Sequence, residues 1–384
     1  MSFRYPWGTM RTPRRLALTV AALALPLLAA APSQADTPAT IGGDALATRG
    51  VVAATGAPAL PATTAASWLV ADLDTGAVLA AKDPHGAYAP ASTLKTLTAL
   101  TLIPKLDPRQ MVQPTWDDVN IDGSKVGLVQ TVKYPVSELF TSLMVVSGND
   151  AAATLATANG GMPKTVAEMN AEAKRLQAFD TVARNDSGLD ARGQQSSAYD
   201  LALIARAGMQ LPDFRAYVAT KHAHIRGAVR NRPIAISSHD KLLYNYPGAI
   251  GIKNGFTVAA RATFVGAATR DGHTLVVTLM KTNPRYWPEA AALLDWGFAA
   301  TKAGAGPVGE LVAPVGPAAG SGPTPTPTAS SAPAVVQKAA AVKQTSSGFP
   351  LLPSAVIAAG LAVIGTGFRR SRRRNRGKLK LPPI

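Results

Sequence analysis

The stretch around Ser92 constrains the fold more than any other part of the sequence. Pro90, Ala91 and Ser92 lead directly into an apolar pattern with helical spacing that starts at Lys95. A proline and a serine in front of such a pattern are typical of a helix N-terminus. Lys95 follows Ser92 by three positions, so we expect both side chains on one face of the helix.

This pair of residues predicts nucleophilic catalysis. A hydroxyl can lose its proton to a neighbouring amine, and the backbone N–H groups of a helix N-terminus stabilise a developing oxyanion. The lysine must be neutral to act as a base, which requires a desolvated site or a neighbouring cation. An isolated S-x-x-K match is also compatible with a surface coincidence, and a second match runs from Ser238 to Lys241.

The positive charge of the chain lies at its two ends. The formal net charge is +16, but residues 1–35 carry four Arg and no acid, and residues 311–384 carry ten Lys or Arg and no acid. The part between them is nearly balanced, with 25 basic and 23 acidic residues. This distribution favours membrane topology signals over a nucleic-acid-binding face, so no nucleic-acid partner is expected. The absence of cysteine excludes disulfides and thiolate zinc sites.

The first 35 residues are predicted to be an export signal. A region with four arginines precedes an apolar stretch at residues 16–31, and small residues allow cleavage after Ala35. An uncleaved N-terminal anchor is the alternative. Residues 36–65 are rich in Ala, Thr, Pro and Gly and are interpreted as a linker.

The C-terminal part is predicted to anchor the chain in the cytoplasmic membrane. Residues 304–348 are rich in Pro, Ala, Ser and Thr, which indicates an extended spacer. Residues 349–368 form an uncharged apolar run of bilayer length, and arginines follow at once in residues 369–384. By the positive-inside rule this tail is cytoplasmic and the catalytic part is extracellular. A buried apolar helix is the alternative for the apolar run.

Residues 66–303 are predicted to form a folded domain around Ser92, because strand and helix patterns alternate there. The strand patterns are residues 68–72, 77–80, 251–257, 261–270 and 273–281, the last two joined by a turn at Asp271-Gly272. The helical patterns after Ser92 are residues 136–146, 163–178, 197–209 and 289–300.

Three polar motifs occur in order within this domain: Ser92-x-x-Lys95, Ser147-x-Asn149 and Lys253-Asn254-Gly255. They fall at a helix start, at a turn between helices marked by Gly148, and on a strand. The order and context resemble the penicillin-recognising serine D,D-peptidases, most closely the low-molecular-mass D-alanyl-D-alanine carboxypeptidases (S11-type peptidases). The resemblance covers about residues 66–302 and includes the segments YAPASTLKTLTAL, SLMVVSGNDAAATLA, YPGAIGIKNGFT and EAAALLDWGF.

The resemblance implies a β-lactamase/transpeptidase-like α/β (α+β) fold. In this fold an antiparallel sheet is flanked by helices, and the active site lies between the sheet and an α-rich subdomain. The implied activity is removal of the terminal D-alanine from peptidoglycan stem pentapeptides through an acyl-enzyme. The implied enzyme needs no metal or organic cofactor, and β-lactam antibiotics such as penicillin acylate it.

The resemblance also assigns roles to residues of the three motifs. Ser92 is the implied nucleophile, Lys95 its general base, and Ser147 the relay of a proton to the leaving amine. Lys95 is kept neutral partly by the nearby cation Lys253. The implied substrate-binding residues are Asn149, Lys253, Asn254, Gly255, Phe256, Thr257 and Arg261.

Each binding residue has an implied contact. Lys253 attracts the C-terminal carboxylate of the substrate, with help from Thr257 and Arg261. Asn149 binds the substrate's backbone amide and helps to hold Lys95. The backbone N–H groups of Ser92 and Phe256 form the oxyanion hole.

The third motif departs from the family pattern, which usually has a threonine in its middle. Here Asn254 replaces the hydroxyl by an amide that can also donate a hydrogen bond. Activity is expected to be retained, while the affinity for substrate or β-lactam is open. Gly255 is kept, and a side chain there is expected to crowd the ligand.

Two other functions remain open. A β-lactamase of the same fold uses the same acylation parts but needs an extra base, and Glu168 and Glu172 lack the sequence context that supplies it. A non-catalytic, membrane-tethered wall-binding protein is the alternative from a different class, with Asn254 as a sign of decay.

The remaining polar candidates are interpreted as surface or turn residues. His222 and His224 lack a third metal ligand at suitable spacing. His239-Asp240 and His273 lack a nucleophile elbow that could complete a Ser-His-Asp triad. Residues 186–190 are interpreted as a loop that borders the substrate groove.

Overall fold

The computed structural model describes residues 1–2, 40–227 and 232–316. The chain divides into two units, Met1–Thr324 and Pro325–Ile384, and the elements below belong to the first. The predicted export signal lies outside the described residues apart from its first two positions, and so do the predicted membrane helix at 349–368 and its basic tail. Within the part that the structure describes, no helix combines the length and the apolar character needed to cross a bilayer.

An antiparallel sheet forms the centre of the fold. The strands, in chain order, are β1 (Val51–Ala53), β2 (Ser67–Asp72), β3 (Ala77–Lys82), β4 (Met111–Val112), β5 (Tyr134–Pro135), β6 (His222–Ile225), β7 (Ile234–Ser237), β8 (Ala249–Thr257), β9 (Arg261–Arg270), β10 (His273–Thr282) and β11 (Gly309–Glu310). The order in the main sheet is β1-β3-β2-β10-β9-β8, and β11 also pairs with β3. Strands β4 and β5, and strands β6 and β7, form two separate ribbons. Strand β8 therefore lies at an edge of the main sheet.

Helices cover this sheet and form an α-rich region beside it. In chain order they are α1 (Lys95–Leu102), α2 (Trp116–Asn120), α3 (Val136–Val145), α4 (Asn149–Ala158), α5 (Met162–Arg175), α6 (Ala198–Gly208), α7 (Pro212–Val218), α8 (Leu242–Asn245) and α9 (Trp287–Lys302). Two 3₁₀ turns, Asp44–Ala47 and Ala91–Leu94, complete the regular structure of the described residues. The predicted helices at 136–146, 163–178, 197–209 and 289–300 are confirmed as α3, α5, α6 and α9.

Both faces of the sheet are buried. This explains why polar and apolar residues do not alternate along β2. All six residues of β2 are buried. Leu69 and Ala71 pack in the core cluster that includes α1 and α6, whereas Trp68 and Val70 pack in the cluster that includes α9. Side chains of a strand point alternately to the two faces, so a strand covered on both sides reads as a continuous apolar run.

The predicted hairpin is confirmed as β9 and β10. Asp271 and Gly272 form its turn with φ angles of 49° and 81°. Two consecutive residues with positive φ are typical of a type I′ turn, whose twist matches that of the flanking strands. This hairpin joins β8 to the centre of the sheet.

The structure corrects the predicted boundaries of the catalytic domain at both ends. The composition of residues 36–65 predicts a linker, but Val51–Ala53 pairs with β3 and Leu46 is fully buried. The spacer is predicted to begin at residue 304, but Gly309–Glu310 also pairs with β3 and Leu311 is buried. Backbone pairing at a sheet edge needs no apolar pattern, so composition alone could not reveal these short strands.

Candidate active site

Ser92 lies in a tight turn directly in front of α1, at the helix N-terminus that the sequence pattern predicted. Residues Ala91–Leu94 form a 3₁₀ turn, and buried Ala91 has φ +47°. The hydroxyls of Thr93 and Thr263 both donate to the Pro90 carbonyl, at 2.6 and 2.7 Å. A left-handed non-glycine residue is strained and needs such support, and strain of this kind clusters at functional sites.

Lys95 is fully buried and contacts the proposed nucleophile. Its Nζ lies 3.0 Å from Ser92 Oγ, 2.7 Å from Asn149 Oδ1 and 2.6 Å from the Ser187 carbonyl oxygen. A neutral amine has two N–H groups and one lone pair. The amide and carbonyl oxygens can only accept, so they take the two N–H groups and direct the lone pair at the Ser92 hydroxyl. This is the geometry of a general base.

The surroundings of Lys95 also favour its neutral form. Burial lowers the pKa of Lys95 well below its usual range, and the charge of Lys253 lowers it further. Asp186 and Asp150 act in the opposite direction. The predicted effect of Lys253 on Lys95 is therefore present, but desolvation is the larger cause.

Asn149 contacts Lys95 as predicted, and its amide orientation is determined by its second partner. Asn149 Nδ2 donates to the Asp122 carbonyl at 2.6 Å, which directs Oδ1 at Lys95. The neighbouring Asp150 accepts backbone N–H groups from residues 126–128 and so fixes the loop that carries Asp122. One N–H of Asn149 remains for the substrate contact that the resemblance implies.

Ser147 lies in the predicted turn between α3 and α4. It has φ +62° and is 5% exposed. Among the described residues no group is a hydrogen-bond partner of its Oγ. Buried hydroxyl groups are normally paired, so this one is suited to bind a group that enters the cleft.

The third motif lies on edge strand β8. Lys253 is 1% exposed, and its Nζ donates to the Asn254 carbonyl at 2.7 Å. Burial lowers the pKa of Lys253 to about 7, against the opposing charge of Asp240. Asn254 is half-buried.

Gly255 packs directly against the turn that carries Ser92, a contact that the sequence did not predict. A Cβ on Gly255 would lie 2.6 Å from the Ser92 backbone nitrogen and 2.6 Å from Thr263 Oγ1. A side chain would therefore displace the nucleophile's own turn before it crowded a ligand. The close approach places the peptide that follows Gly255 beside Ser92, as an oxyanion hole between Ser92 and Phe256 requires.

The remaining predicted residues lie where β8 ends and β9 begins. Phe256 is 59% exposed. The Thr257 hydroxyl donates to Asp190 Oδ1 at 2.8 Å, and Arg261, with φ +56°, donates to Asn283 Oδ1 at 3.2 Å. To donate to the substrate carboxylate, the Thr257 hydroxyl must exchange Asp190 for it, whereas Arg261 has further N–H groups besides the one that Asn283 accepts.

The comparisons with known proteins agree with this geometry. A sequence model of the Peptidase_S11 family, described as D-alanyl-D-alanine carboxypeptidase, matches residues 53–283. The chain belongs to this family. The resemblance inferred from the three motifs is thereby confirmed, and membership makes the chain a hydrolase.

Several members of the family are similar to the chain in sequence or structure. The D-alanyl-D-alanine carboxypeptidase DacB2 of Mycobacterium tuberculosis is 44% identical over 251 residues, which are 64% of this chain and 86% of DacB2. DacD of Salmonella typhimurium is 33% identical over 257 residues, 63% of this chain and 64% of DacD. A crystal structure of a D-alanyl-D-alanine carboxypeptidase from M. tuberculosis H37Rv has 44% identity and a TM-score of 0.62, over 65% of this chain and 96% of that chain. The Streptomyces K15 DD-transpeptidase has 26% identity and a TM-score of 0.60, over 63% of this chain and all of that chain (100%).

In this S11-family member, residues 186–188 were predicted only to border the substrate groove. They also contact residues of the active site directly. The Ser187 carbonyl binds Lys95, and the Asp186 carbonyl accepts from the Thr98 hydroxyl at 2.7 Å. Gly188 has φ +84°, and a Cβ there would meet the Ala91 carbonyl oxygen. A backbone carbonyl leaves no trace in residue identity, so only the glycine signalled this loop in the sequence.

The burial of two carboxyl groups near the site was not predicted from the sequence. Asp186 is fully buried, and among the described residues neither of its oxygens has a hydrogen-bond partner. Burial raises its pKa to about 7 although the charge of Lys95 acts against the rise. Burial likewise raises the pKa of Asp240 to about 6.

The second S-x-x-K match does not form a catalytic pair. Ser238 Oγ accepts from the Asp240 backbone N–H at 3.1 Å, and Lys241 is exposed. The other histidine candidates lie elsewhere: exposed His222 is within 3.0 Å of Ser237 Oγ, and His273 is within 3.1 Å of Asp72 Oδ2. The described residues contain no cluster of three or more His, Cys, Asp or Glu side chains suited to a metal ion.

Proposed function

We propose that the chain is a serine D-alanyl-D-alanine carboxypeptidase that removes the terminal D-alanine from peptidoglycan stem pentapeptides. The observation that carries this proposal is the contact of buried Lys95 with Ser92 at 3.0 Å, with two acceptors directing the lysine lone pair at the hydroxyl. Family membership supports the reaction class. The geometry supports the assignment of the roles.

In the acylation step, Ser92 Oγ attacks the carbonyl carbon of the penultimate D-alanine. Its proton passes to Lys95, and the negative charge of the tetrahedral intermediate develops between the backbone N–H groups of Ser92 and Phe256. The C–N bond then breaks. The products are an acyl ester on Ser92 and a free D-alanine.

The leaving D-alanine needs a proton on its amine and a cation for its carboxylate. Ser147, whose buried Oγ is unpartnered among the described residues, relays the proton from Lys95 to the amine. Lys253 binds the carboxylate. Water then attacks the ester with Lys95 again as the base, which regenerates Ser92.

A β-lactamase is a less suitable function for this site. Fast hydrolysis of a penicilloyl ester needs a further base, and the two glutamates considered for it are engaged in ion pairs. Glu168 binds Lys105 at 2.8 Å, and Glu172 binds Arg175 at 2.7 Å. We therefore expect penicillin to form a long-lived ester on Ser92.

Labelling with a fluorescent penicillin tests the proposal. The wild-type chain should take the label, and Ser92→Ala should lose it, because the ester oxygen is absent. Ser238→Ala is the matched control, since it alters the serine of the other S-x-x-K match and should label like the wild type. An unlabelled wild type, or full labelling of Ser92→Ala, would contradict the assignment.

We propose further that the enzyme works outside the cytoplasmic membrane. The arginine-flanked apolar segment in residues 1–35 supports export, and the apolar run at residues 349–368 with the basic tail supports a single C-terminal span. Peptidoglycan stem peptides are then the substrate partners. The spacer at residues 304–348 sets the distance from the membrane to the wall.

A further inference from the structure

One peptide unit, between Ser187 and Gly188, joins Lys95 to the side chain of Asn185. Its carbonyl oxygen accepts a hydrogen bond from Lys95 Nζ at 2.6 Å. Its N–H, which belongs to Gly188, donates to Asn185 Oδ1 at 2.8 Å. The C=O and N–H groups of a trans peptide lie in one plane and point in opposite directions. Asn185 therefore holds one end of this unit, and Lys95 holds the other.

The conformation of Gly188 does not by itself determine which way this peptide faces. Gly188 has φ +84°, and glycine adopts positive and negative φ about equally readily. Type I and type II turns differ in just such a reversal of a peptide in front of a glycine. A reversal here would direct the Ser187 carbonyl away from Lys95, so another group must select the observed orientation.

The side chain of Asn185 is placed to make this selection. Besides the Gly188 N–H, its Oδ1 accepts from the Ser187 backbone N–H at 3.2 Å. Its Nδ2 donates to the Leu189 carbonyl at 2.8 Å. Because both ends of the amide group are bonded to the loop, Oδ1 has one orientation, and it faces the peptide that binds Lys95. Asparagine side chains commonly bind the backbone just ahead of them in this way.

Gln194 holds the backbone of this loop from outside it. Its Oε1 accepts from the backbone N–H groups of Arg184 and Asn185 at 3.0 and 3.2 Å. Its Nε2 donates to the Leu189 carbonyl at 2.6 Å. The Leu189 carbonyl therefore keeps one donor when Asn185 is replaced, and the loss that matters is that of Oδ1.

The orientation of the Ser187 carbonyl matters for the lone pair of Lys95. A neutral amine has two N–H groups, and Asn149 Oδ1 and the Ser187 carbonyl accept them. Without one of these acceptors the amine can rotate about its terminal C–N bond. Its lone pair then no longer faces Ser92 Oγ, as removal of the hydroxyl proton requires.

We propose that Asn185 is a positioning residue, which holds the peptide between residues 187 and 188 so that its carbonyl directs the lone pair of Lys95 at the nucleophile. The inference rests on the proposed function, because it takes the role of Lys95 from there. Asn185 acts through this peptide and touches no reacting atom.

The variant Asn185→Ala in the full-length chain removes the acceptor. We expect the rate of Ser92 acylation at saturating penicillin to fall by at least about tenfold, because the base is misdirected. Lys95 is the base in both steps of the proposed mechanism, so kcat for a D-Ala-D-Ala peptide should fall as well. KM should stay close to the wild-type value, since no contact with the substrate is removed.

The variant Asn185→Asp tests whether the acceptor is the cause. A carboxylate oxygen can accept from the same two N–H groups, and the Leu189 carbonyl keeps the donor of Gln194. Acylation should therefore proceed at nearly the wild-type rate. Asn185→Ser keeps a hydroxyl acceptor with a reach one bond shorter and is the milder variant should Asn185→Ala not fold. It should acylate more slowly than Asn185→Asp.

The matched control for a loss of stability is Asn170→Ala. Asn170 is half-buried like Asn185, and its Oδ1 accepts from the Ala183 backbone N–H at 2.9 Å. Its Nδ2 donates to the Ala183 and Val166 carbonyls at 3.0 and 2.9 Å. These backbone partners are not the groups that bind Lys95. Thermal unfolding should occur at a lower temperature for both alanine variants, whereas Asn170→Ala should acylate at the wild-type rate.

The outcomes distinguish this inference from the function on which it rests. Wild-type acylation by Asn185→Ala, a loss in Asn185→Asp as large as that in the alanine or serine variant, or equal slowing by Asn170→Ala would each contradict the role of Asn185. In all three cases a labelled wild-type chain leaves the proposed function intact. If the wild-type chain neither cleaves the peptide nor takes the label, the proposed function itself is wrong.

Discussion

At the scale of single residues, the burial of Asp186 contributes to the dependence of stability on pH. Burial raises the pKa of Asp186 from 3.8 to about 7, and the charge of Lys95 acts against the rise. An unfolded chain releases this proton near pH 4, whereas the folded chain keeps it to about pH 7. The folded state binds more protons between these values, so the free energy of unfolding falls as pH rises through that range.

The variant Asp186→Asn should therefore stabilise the protein, because the amide stays neutral at every pH. The gain in unfolding free energy should be larger at pH 8 than at pH 5 by roughly 2–3 kcal/mol, which is the linkage expected for such a shift. Urea unfolding of both proteins at the two pH values measures it. A difference that does not change with pH would mean that Asp186 is ionised in the folded protein throughout.

At the scale of elements, the loop of residues 186–188 and the turn Ala91–Leu94 hold each other in place. The approach is possible only because Gly188 has no side chain. Gly272 in the β9–β10 turn has nearly the same φ, +81° against +84° for Gly188, but nothing lies within 4 Å of a Cβ built there. The two glycines thus share a left-handed φ and differ in their contacts.

This pair allows a matched test of the contact. Gly272→Ala should cost about 1–2 kcal/mol of stability, the strain of a left-handed alanine, and leave penicillin acylation unchanged. Gly188→Ala adds a collision with the Ala91 carbonyl, so it should destabilise further and slow the acylation of Ser92 by at least about tenfold. Thermal unfolding and the rate of labelling are the measurements. Equal effects of the two variants would show that the close approach is unimportant.

At the scale of the whole molecule, residues from both ends of the described chain complete the sheet. Strands β1 and β11 pair with the same strand, β3, and Leu46 and Leu311 are buried in the core behind it. On the other face the Trp296 indole N–H donates to the Pro58 carbonyl at 2.8 Å. The catalytic domain is therefore larger than the residues that carry the motifs.

Two truncations test the C-terminal boundary of the domain and the proposed membrane anchor beyond it. A chain that ends at Gly316 keeps every described element, so it should fold, label with penicillin and leave the membrane fraction for the soluble fraction. A chain that ends at Lys302 loses β11 and Leu311 and should unfold at a lower temperature, by roughly 4–8 °C or more. If the chain ending at Gly316 stays with the membrane, the C-terminal run is not the only anchor and the uncleaved N-terminal anchor is favoured.

The elements that depend on neighbouring residues in the chain could be predicted from the sequence. The hairpin follows from Asp271-Gly272 between two strands, and the helices from their apolar periodicity. The 3₁₀ turn at Ser92 could not be predicted, since it depends on support from Thr263, which is distant in sequence. The short strands at the two ends were missed because backbone hydrogen bonds determine them.

The sequence by itself determined the polar residues of the three motifs and their order: Ser92 with Lys95, then Ser147 with Asn149, then Lys253. Only the tertiary structure decided their charge states. Burial and the partners of a side chain set its pKa, and these come from distant segments, such as Ser187, which lies 92 positions from Lys95. A pattern of residue types holds no information on which carbonyl or carboxylate faces a lysine, because that is decided when the chain packs.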